Sequence, residues 1–259
     1  MKYKDFEGTI EELINFKLDE IEKQENVKIL HAVEFGSRAW GFASPDSDYD
    51  VRFIYVRPKE YYLKLEDTKD IIDWELDETL DINGWDLNKA LKLFHKSNAT
   101  LFEWANSPVV YRTTDQWKEI YCRAEKYFSK KASMYHYYGT AKSNFHKYLE
   151  EDYVKYKKYF YVIRPLLASK WIEEKSCPPP VLFSTLMDSM LQGEMKELVD
   201  ELVIVKKTMK ESDKGRHIDK LNEYIENQLS YYKNIINTYE DDRKVKWDEL
   251  NEIFMRSIL

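Results

Sequence analysis

The sequence predicts an α+β protein, a mixed α/β first half followed by an all-helical second half. Three observations lead there. Glycine is scarce, seven residues in 259, well below the usual ~7%. Two apolar runs of strand character, VKILHAVEF and DVRFIYV, lie early in the chain. Beyond residue 113 the sequence is dominated by long Glu/Lys/Leu/Tyr stretches with helical spacing.

Each element follows from local pattern. Phe6, Ile10, Leu13, Ile14, Leu18 and Ile21 form one stripe of a first helix. The run from Val27 to Phe35 reads as a strand ending at Gly36-Ser37, and 50–56 as a second strand closed by Pro58. A weaker pair is expected at Ile71–Trp74 and Thr79–Ile82, the latter stopped by Asn83-Gly84. Asp86 then has the character of an N-cap for the helix LNKALKLF, whose Leu87, Ala90, Leu91 and Phe94 share a face. A short helix around 101–105 and an extended VVY follow. A capping-box pattern, Thr113-Thr114-Asp115-Gln116, opens the helical half. The longest helical run, 133–175, contains Pro165, which should kink or split it. Later helices are expected at 181–190, 194–209, 216–238 and 247–257. The expected domains are therefore 1–112 and 113–259.

Composition excludes several classes. Hydrophobic residues make up 43%, enough for a core, so global disorder is ruled out. Two cysteines, Cys122 and Cys177, make no disulfide framework or cysteine metal site. The five histidines show no H-x-x-x-H spacing, and neither a P-loop nor a G-x-G-x-x-G motif occurs. MKYKDFEGTIEEL has no apolar stretch, and no window reaches 18 apolar residues, so a cytoplasmic protein without membrane contact is expected. Charge is unevenly divided. Residues 1–112 carry 15 basic and 23 acidic side chains, residues 129–175 carry 10 basic and 5 acidic ones. An acidic module facing a basic, tyrosine-rich one suits a metal ion plus a polyphosphate.

The sharpest motif is GSRAWGFASPDSDYDVRF, from Gly36 to Phe53. A Gly-Ser after a strand opens a turn that offers backbone N–H groups and a hydroxyl to an anion. Asp48 and Asp50, two apart on a strand, project from one face, so both carboxylates can meet one site. Magnesium commonly takes one or two carboxylates and completes its shell with substrate phosphates. Arg38 stands where it could touch a phosphate or make a surface salt bridge, and Arg52 faces the same side as Asp50. Trp40 and Phe42 shape the loop, with packing favoured over base stacking.

With Asp48-Tyr49-Asp50, the Gly36-Ser37 turn resembles the active-site signature of nucleotidyltransferases of the DNA polymerase beta superfamily. Together with LDINGWDLNKAL, NATLFEWANSPVVY and KYFYVIRPLLASKWI, it is similar to a bacterial and phage branch associated with RNA repair. That resemblance implies a polymerase beta palm-like fold: a small mixed, mostly antiparallel sheet with flanking helices, then a helical domain across a nucleotide cleft. It implies a third catalytic carboxylate, for which Asp81 is the best match, with Glu78 and Asp86 as alternatives. The implied metal ligands are Asp48, Asp50 and Asp81, holding two Mg2+ (or Mn2+) ions. Gly36, Ser37 and Arg38 would contact the nucleotide, with Lys142, Lys157, Lys158, Tyr161 and Arg164 as candidates for the triphosphate. Lys158, Tyr161 and Arg164 form one stripe by i, i+3 spacing, and Lys157, Tyr161 and Arg164 share a face by i, i+4 and i, i+3 steps, so spacing does not choose between the two lysines. The implied activity is transfer of NMP from an NTP, ATP first, to an acceptor hydroxyl with release of pyrophosphate. An RNA end ranks ahead of small molecules such as aminoglycosides and of protein side chains. A non-catalytic nucleotide-sensing module is the competing class.

Overall fold

The computed structural model describes residues 6–44, 47–77, 79–208 and 214–258, without the side chains of 75–77 and 206–208. The chain divides into two units. Met1–Ala39, Ser47–Phe128 and Lys244–Leu259 form the first, and Trp40–Asp46 with Ser129–Arg243 the second.

The first unit opens with α1 (Ile10–Glu25), started by a capping box: the Thr9 side chain accepts from the Glu12 N–H while Glu12 accepts from the Thr9 N–H. There follow β1 (Lys28–Phe35), the single turn α2 (Gly36–Ala39), β2 (Tyr49–Val56), the short α3 (Lys59–Tyr62), β3 (Ile71–Asp77), β4 (Leu80–Asp86), α4 (Leu87–His95), α5 (Ala99–Ala105), β5 (Val110–Thr113) and α6 (Asp115–Ala124). The five strands form one sheet in the order β3-β4-β2-β1-β5. The β2–β4 pair is parallel and the other three are antiparallel. This is the mixed, palm-like sheet that the sequence predicts.

Strand alternation gives the sheet two buried faces. Val51, Phe53, Tyr55, Leu80 and Ile82 pack against the Leu13, Ile14, Leu18 and Ile21 stripe of α1. Leu30, Val33, Ile54 and Val56 pack on the other side under α4, α5, α6 and the chain's last helix. Each such fully buried side chain contributes about 1.5–3 kcal/mol. Two strand ends differ from expectation: β3 runs past Trp74 to Asp77, and β4 past Ile82. β4 continues through Asn83-Gly84 to Asp86, because the Phe53 ring fills the space over Gly84, where a Cβ would lie 2.2 Å from ring carbons. Asp86 then caps α4 as expected, its Oδ1 accepting from the Asn88 N–H at 2.7 Å.

The second unit comprises α7 (Lys130–Tyr148), β6 (Tyr153–Lys155), α8 (Lys157–Lys175), α9 (Phe183–Met190), α10 (Gly193–Thr208), β7 (Lys214–Arg216) and α11 (Asp219–Ile235). The remaining helix, α12 (Asp248–Ile258), belongs to the first unit. The expectation of an all-helical second half needs one correction: β6 and β7 pair antiparallel, and Gly215 leaves room for the Tyr156 ring against the ladder. Pro165 also behaves differently from expectation. It lies inside an unbroken α8, and the carbonyl it cannot bond, that of Tyr161, accepts from Asn144 Nδ2 of α7 at 3.3 Å. The helical run breaks instead between α7 and α8. No helix among the described residues is long and apolar enough to cross a membrane.

Candidate active site

The site forms where β1 ends and β2 and β4 begin. Gly36 turns the chain out of β1 with φ +70°, a conformation that favours glycine. A second constraint acts on the same atom: a Cβ at Gly36 would stand 2.4 Å from Asp50 Oδ2. The two halves of the sequence motif therefore touch, with the Asp50 carboxylate lying over the Gly36 Cα.

Asp50 and Asp81 are register partners on the parallel strands β2 and β4, so both side chains leave the same face. Arg52, two residues along β2, joins them: its Nη2 donates to Asp50 Oδ1 at 3.1 Å and to Asp81 Oδ2 at 2.7 Å. About a third of the Asp50 side chain and half of that of Asp81 stay open to solvent. Burial pushes the Asp50 carboxyl above the usual carboxylate range, Arg52 pulls it down, and the charges of Asp81 and then Asp48 push it up again. The Arg52 side chain is itself largely buried and also donates to the Val51 and Asp81 carbonyls, so its guanidinium is held between the two carboxylates.

Beneath them lies a residue that the sequence reading passed over. Glu34 on β1 is fully buried, and its Oε1 accepts the backbone N–H of Asp50 at 2.9 Å. Its Oε2 accepts from the Tyr111 hydroxyl of β5, and the Ser107 hydroxyl donates to its backbone carbonyl at 2.6 Å. Burial raises the Glu34 carboxyl, while the Tyr111 hydrogen bond works the other way. The one available signal was an acidic residue inside an apolar strand, two positions before Gly36.

The other predicted residues divide clearly. Ser37 sits half-buried in the α2 turn. Arg38 is committed to the loop ahead of β2: it donates to the carbonyls of Ser47 at 2.7 Å and Asp48 at 3.1 Å and stacks over the Tyr49 ring at 3.6 Å. Asp86 stands at the far end of β4, buried, with Oδ2 accepting from the Tyr62 hydroxyl at 2.9 Å. Asp81, not Asp86, is thus the acid of β4 beside Asp50. Glu78 lies outside the described residues. In the second unit, Lys158 lies over the rings of Tyr148 at 4.0 Å and Tyr161 at 4.6 Å, with its ammonium pKa lowered chiefly by burial. Arg164 is buried, donating weakly to the Val181 carbonyl and lying over the Trp40 ring at 4.6 Å. Lys142 is exposed and Lys157 half-buried. Trp40 and Phe42 pack among Phe160, Tyr161 and Phe183 of the same unit, the packing role that the sequence favoured.

Among the described residues, no group of three or more His, Cys, Asp and Glu side chains is arranged to hold a metal ion. The donors that the geometry pairs at the sheet end are Asp50 and Asp81, with Asp48 exposed in the loop just before β2 and near enough for its charge to act on Asp50. Two carboxylates suit a hard divalent cation that takes its other oxygens from substrate phosphates and water.

A parallel-paired acid couple thus stands beside a strand-ending Gly-Ser turn on a palm-like sheet. The chain belongs to RlaP, the RNA repair pathway DNA polymerase beta family, which it matches over residues 10–256. It is also similar to the uncharacterized protein YcgL of Bacillus subtilis (strain 168), 40% identical over 247 residues that cover 93% of this chain and 94% of that protein. A solved nucleotidyltransferase-like protein from Exiguobacterium sibiricum 255-15 aligns over 96% of this chain and 87% of its own at 12% identity, with a TM-score of 0.31. That last likeness is too slight to bear on fold or function.

Proposed function

We propose that the chain moves a nucleoside monophosphate from a nucleoside triphosphate, ATP first, to a hydroxyl at an RNA end. The observation that carries this reading is the Asp50–Asp81 register pair, bridged by Arg52 and set against Gly36. In the reaction the acceptor oxygen bonds to the α-phosphorus, the bond from that phosphorus to the bridging oxygen breaks, and pyrophosphate leaves. Asp81, the more open carboxylate, orients the acceptor hydroxyl and takes its proton. Asp48, Asp50 and Asp81 would hold magnesium or manganese, which when bound neutralises phosphate charge and polarises the reacting phosphoryl group. Ser37 and the backbone of the α2 turn hold terminal phosphates. Glu34 fixes the backbone from which Asp50 projects, so the carboxylate does not have to be ordered when substrate binds.

The test incubates the protein with each labelled nucleoside triphosphate, magnesium or manganese, and a panel of acceptors: RNA oligonucleotides, an aminoglycoside and protein. Label on RNA is the expected outcome. Label on the aminoglycoside or on protein would replace the acceptor, and metal-dependent nucleotide binding without any transfer would replace catalysis with sensing.

A further inference from the structure

A cavity of about 560 Å³ opens on the sheet face beside Asp81. We infer that it is a nucleobase pocket, which seats the terminal base of a single-stranded acceptor so that its ribose hydroxyl reaches Asp81. This rests on the nucleotidyl-transfer reading for its chemistry, but its binding prediction stands by itself.

The lining is unlike the rest of that sheet face. Toward β5 and α6 the face is apolar and covered by helices, whereas here it is open and lined by polar side chains among aromatic ones. Asp81, Asn83 and Trp85 alternate along β4 and so share one face. Trp85 stands as a wall, half-buried, its ring 4.0 Å from that of Trp104 of α5, with Phe35 at the end of β1 lining the same space. Asn83 and its register partner Asp73 on β3 form the floor, Asn83 Nδ2 donating to Asp73 Oδ1. That one bond leaves the amide oxygen, the second amide N–H and the other carboxylate oxygen for a ligand. Mixed donors and acceptors on one edge beside an aromatic wall are what a flat heterocycle needs: its face stacks and its polar edge is read.

Charge restricts the occupant further. Arg52 is engaged with Asp50 and Asp81, so Asp73 and Asp81 leave the pocket net negative. The Asn83–Asp73 floor, one pleat repeat from Asp81, carries a carboxylate and no cation, so the group seated there is the uncharged base while the strand's phosphates trail away. A duplex end cannot present its base edge in this manner, because pairing already occupies it. The volume falls within the ~300–1,000 Å³ range of small-molecule sites, and the step from Asn83 to Asp81, one pleat repeat, places the nucleoside's sugar at the carboxylate.

The experiment measures binding and transfer separately. Short single-stranded RNAs, fluorescein-labelled at the end that does not react, are prepared with A, C, G, U or an abasic ribose at the acceptor end. Anisotropy without nucleotide gives Kd, and label transfer from ATP with magnesium gives KM and kcat. Removing the terminal base should weaken binding about tenfold or more, the effect expected for a stacked base. Trp85→Leu should do the same, Trp85→Phe should restore most of the affinity, and Asn83→Ala should flatten the preference among the four bases. Thermal melts check that each variant is folded. Equal Kd for abasic and complete ends, equal binding of a blunt duplex, or no RNA binding alongside binding of a polyamine would each overturn the pocket. Transfer with a KM indifferent to the terminal base sinks the pocket and spares the activity. Base-dependent binding without transfer upholds the pocket and sinks the activity.

Discussion

One strand carries two acids with opposite lives. Asp81 near the start of β4 is half-open and faces a guanidinium, while Asp86 at its end is buried and faces neutral donors, the Tyr62 hydroxyl and the Asn88 N–H. The first arrangement leaves lone pairs for a ligand beside a bound guanidinium. The second uses up the carboxylate in capping a helix and closing a core. Side-chain type is the same at both, so environment alone separates an open carboxylate that can take a ligand from one that holds the fold. Asp50 belongs with Asp81 by register and shares a raised pKa with Asp86, which makes it the sharper subject for mutation.

The largest effect should come from Asp50→Asn. The amide keeps the shape that Gly36 accommodates but removes a charge on which the proposed site depends. Label transfer should fall about a thousandfold or more, the scale of losing a preorganised electrostatic group. The melting temperature should hold or rise, because a partly buried charge has been removed. Equal transfer rates for the two proteins would end the carboxylate mechanism.

Next comes Glu34, which acts through Asp50. Glu34→Ala strands the buried N–H of Asp50, at a cost of about 1–3 kcal/mol in stability. It also loosens the strand that carries Asp50, so kcat should drop about a hundredfold with KM for ATP nearly unchanged. Glu34→Gln keeps an acceptor oxygen and should recover most of the rate. Equal losses in both variants would mean that the charge of Glu34, not its grip on the backbone, matters. Ser37→Ala should do less, raising KM for ATP several-fold, since the backbone N–H groups of the turn remain. A KM unchanged by that variant would remove Ser37 from the phosphate site.

What the sequence made legible was whatever one strand or helix decides alone. The apolar strand DVRFIYV, the α1 stripe and the Asp86 cap are each local, and each reappears in the structure, whereas Asp48, expected on the strand with Asp50, stands exposed in the loop before β2. What it hid depends on a neighbour distant in sequence. Gly84 reads as a strand end until Phe53 covers it, and Pro165 reads as a helix break until Asn144 takes up the orphaned Tyr161 carbonyl. Glu34 gains meaning only when β2 and β5 pair on either side of β1. Arg38, well placed for a phosphate in sequence, is spent on two loop carbonyls and an aromatic ring. The cavity beside Asp81 needs β3, β4 and α5 together, and no single motif announces it.

The smallest effect on activity, and the clearest on stability, belongs to Asp86. Burial pushes its carboxyl up to about 6 from an ordinary 3.8, against the hydrogen bonds from Asn88 and Tyr62. Between those two values the folded chain keeps a proton that the unfolded chain has released. Its contribution to stability is therefore greatest at low pH and declines as pH rises from about 4 through about 6, then levels off. A shift of that size corresponds to roughly 3 kcal/mol. Asp50 and Glu34, also raised, add slope of the same sign, so the wild-type curve alone does not isolate Asp86. The difference from Asp86→Asn does. Asparagine caps a helix about as well as aspartate and has no proton to lose, so urea unfolding of the variant should show a flatter decline across that window. An identical pH slope in both proteins would mean that Asp86 titrates normally. Transfer at pH 7 should survive the change; its loss in a folded Asp86→Asn protein would exchange the roles of the two acids on β4.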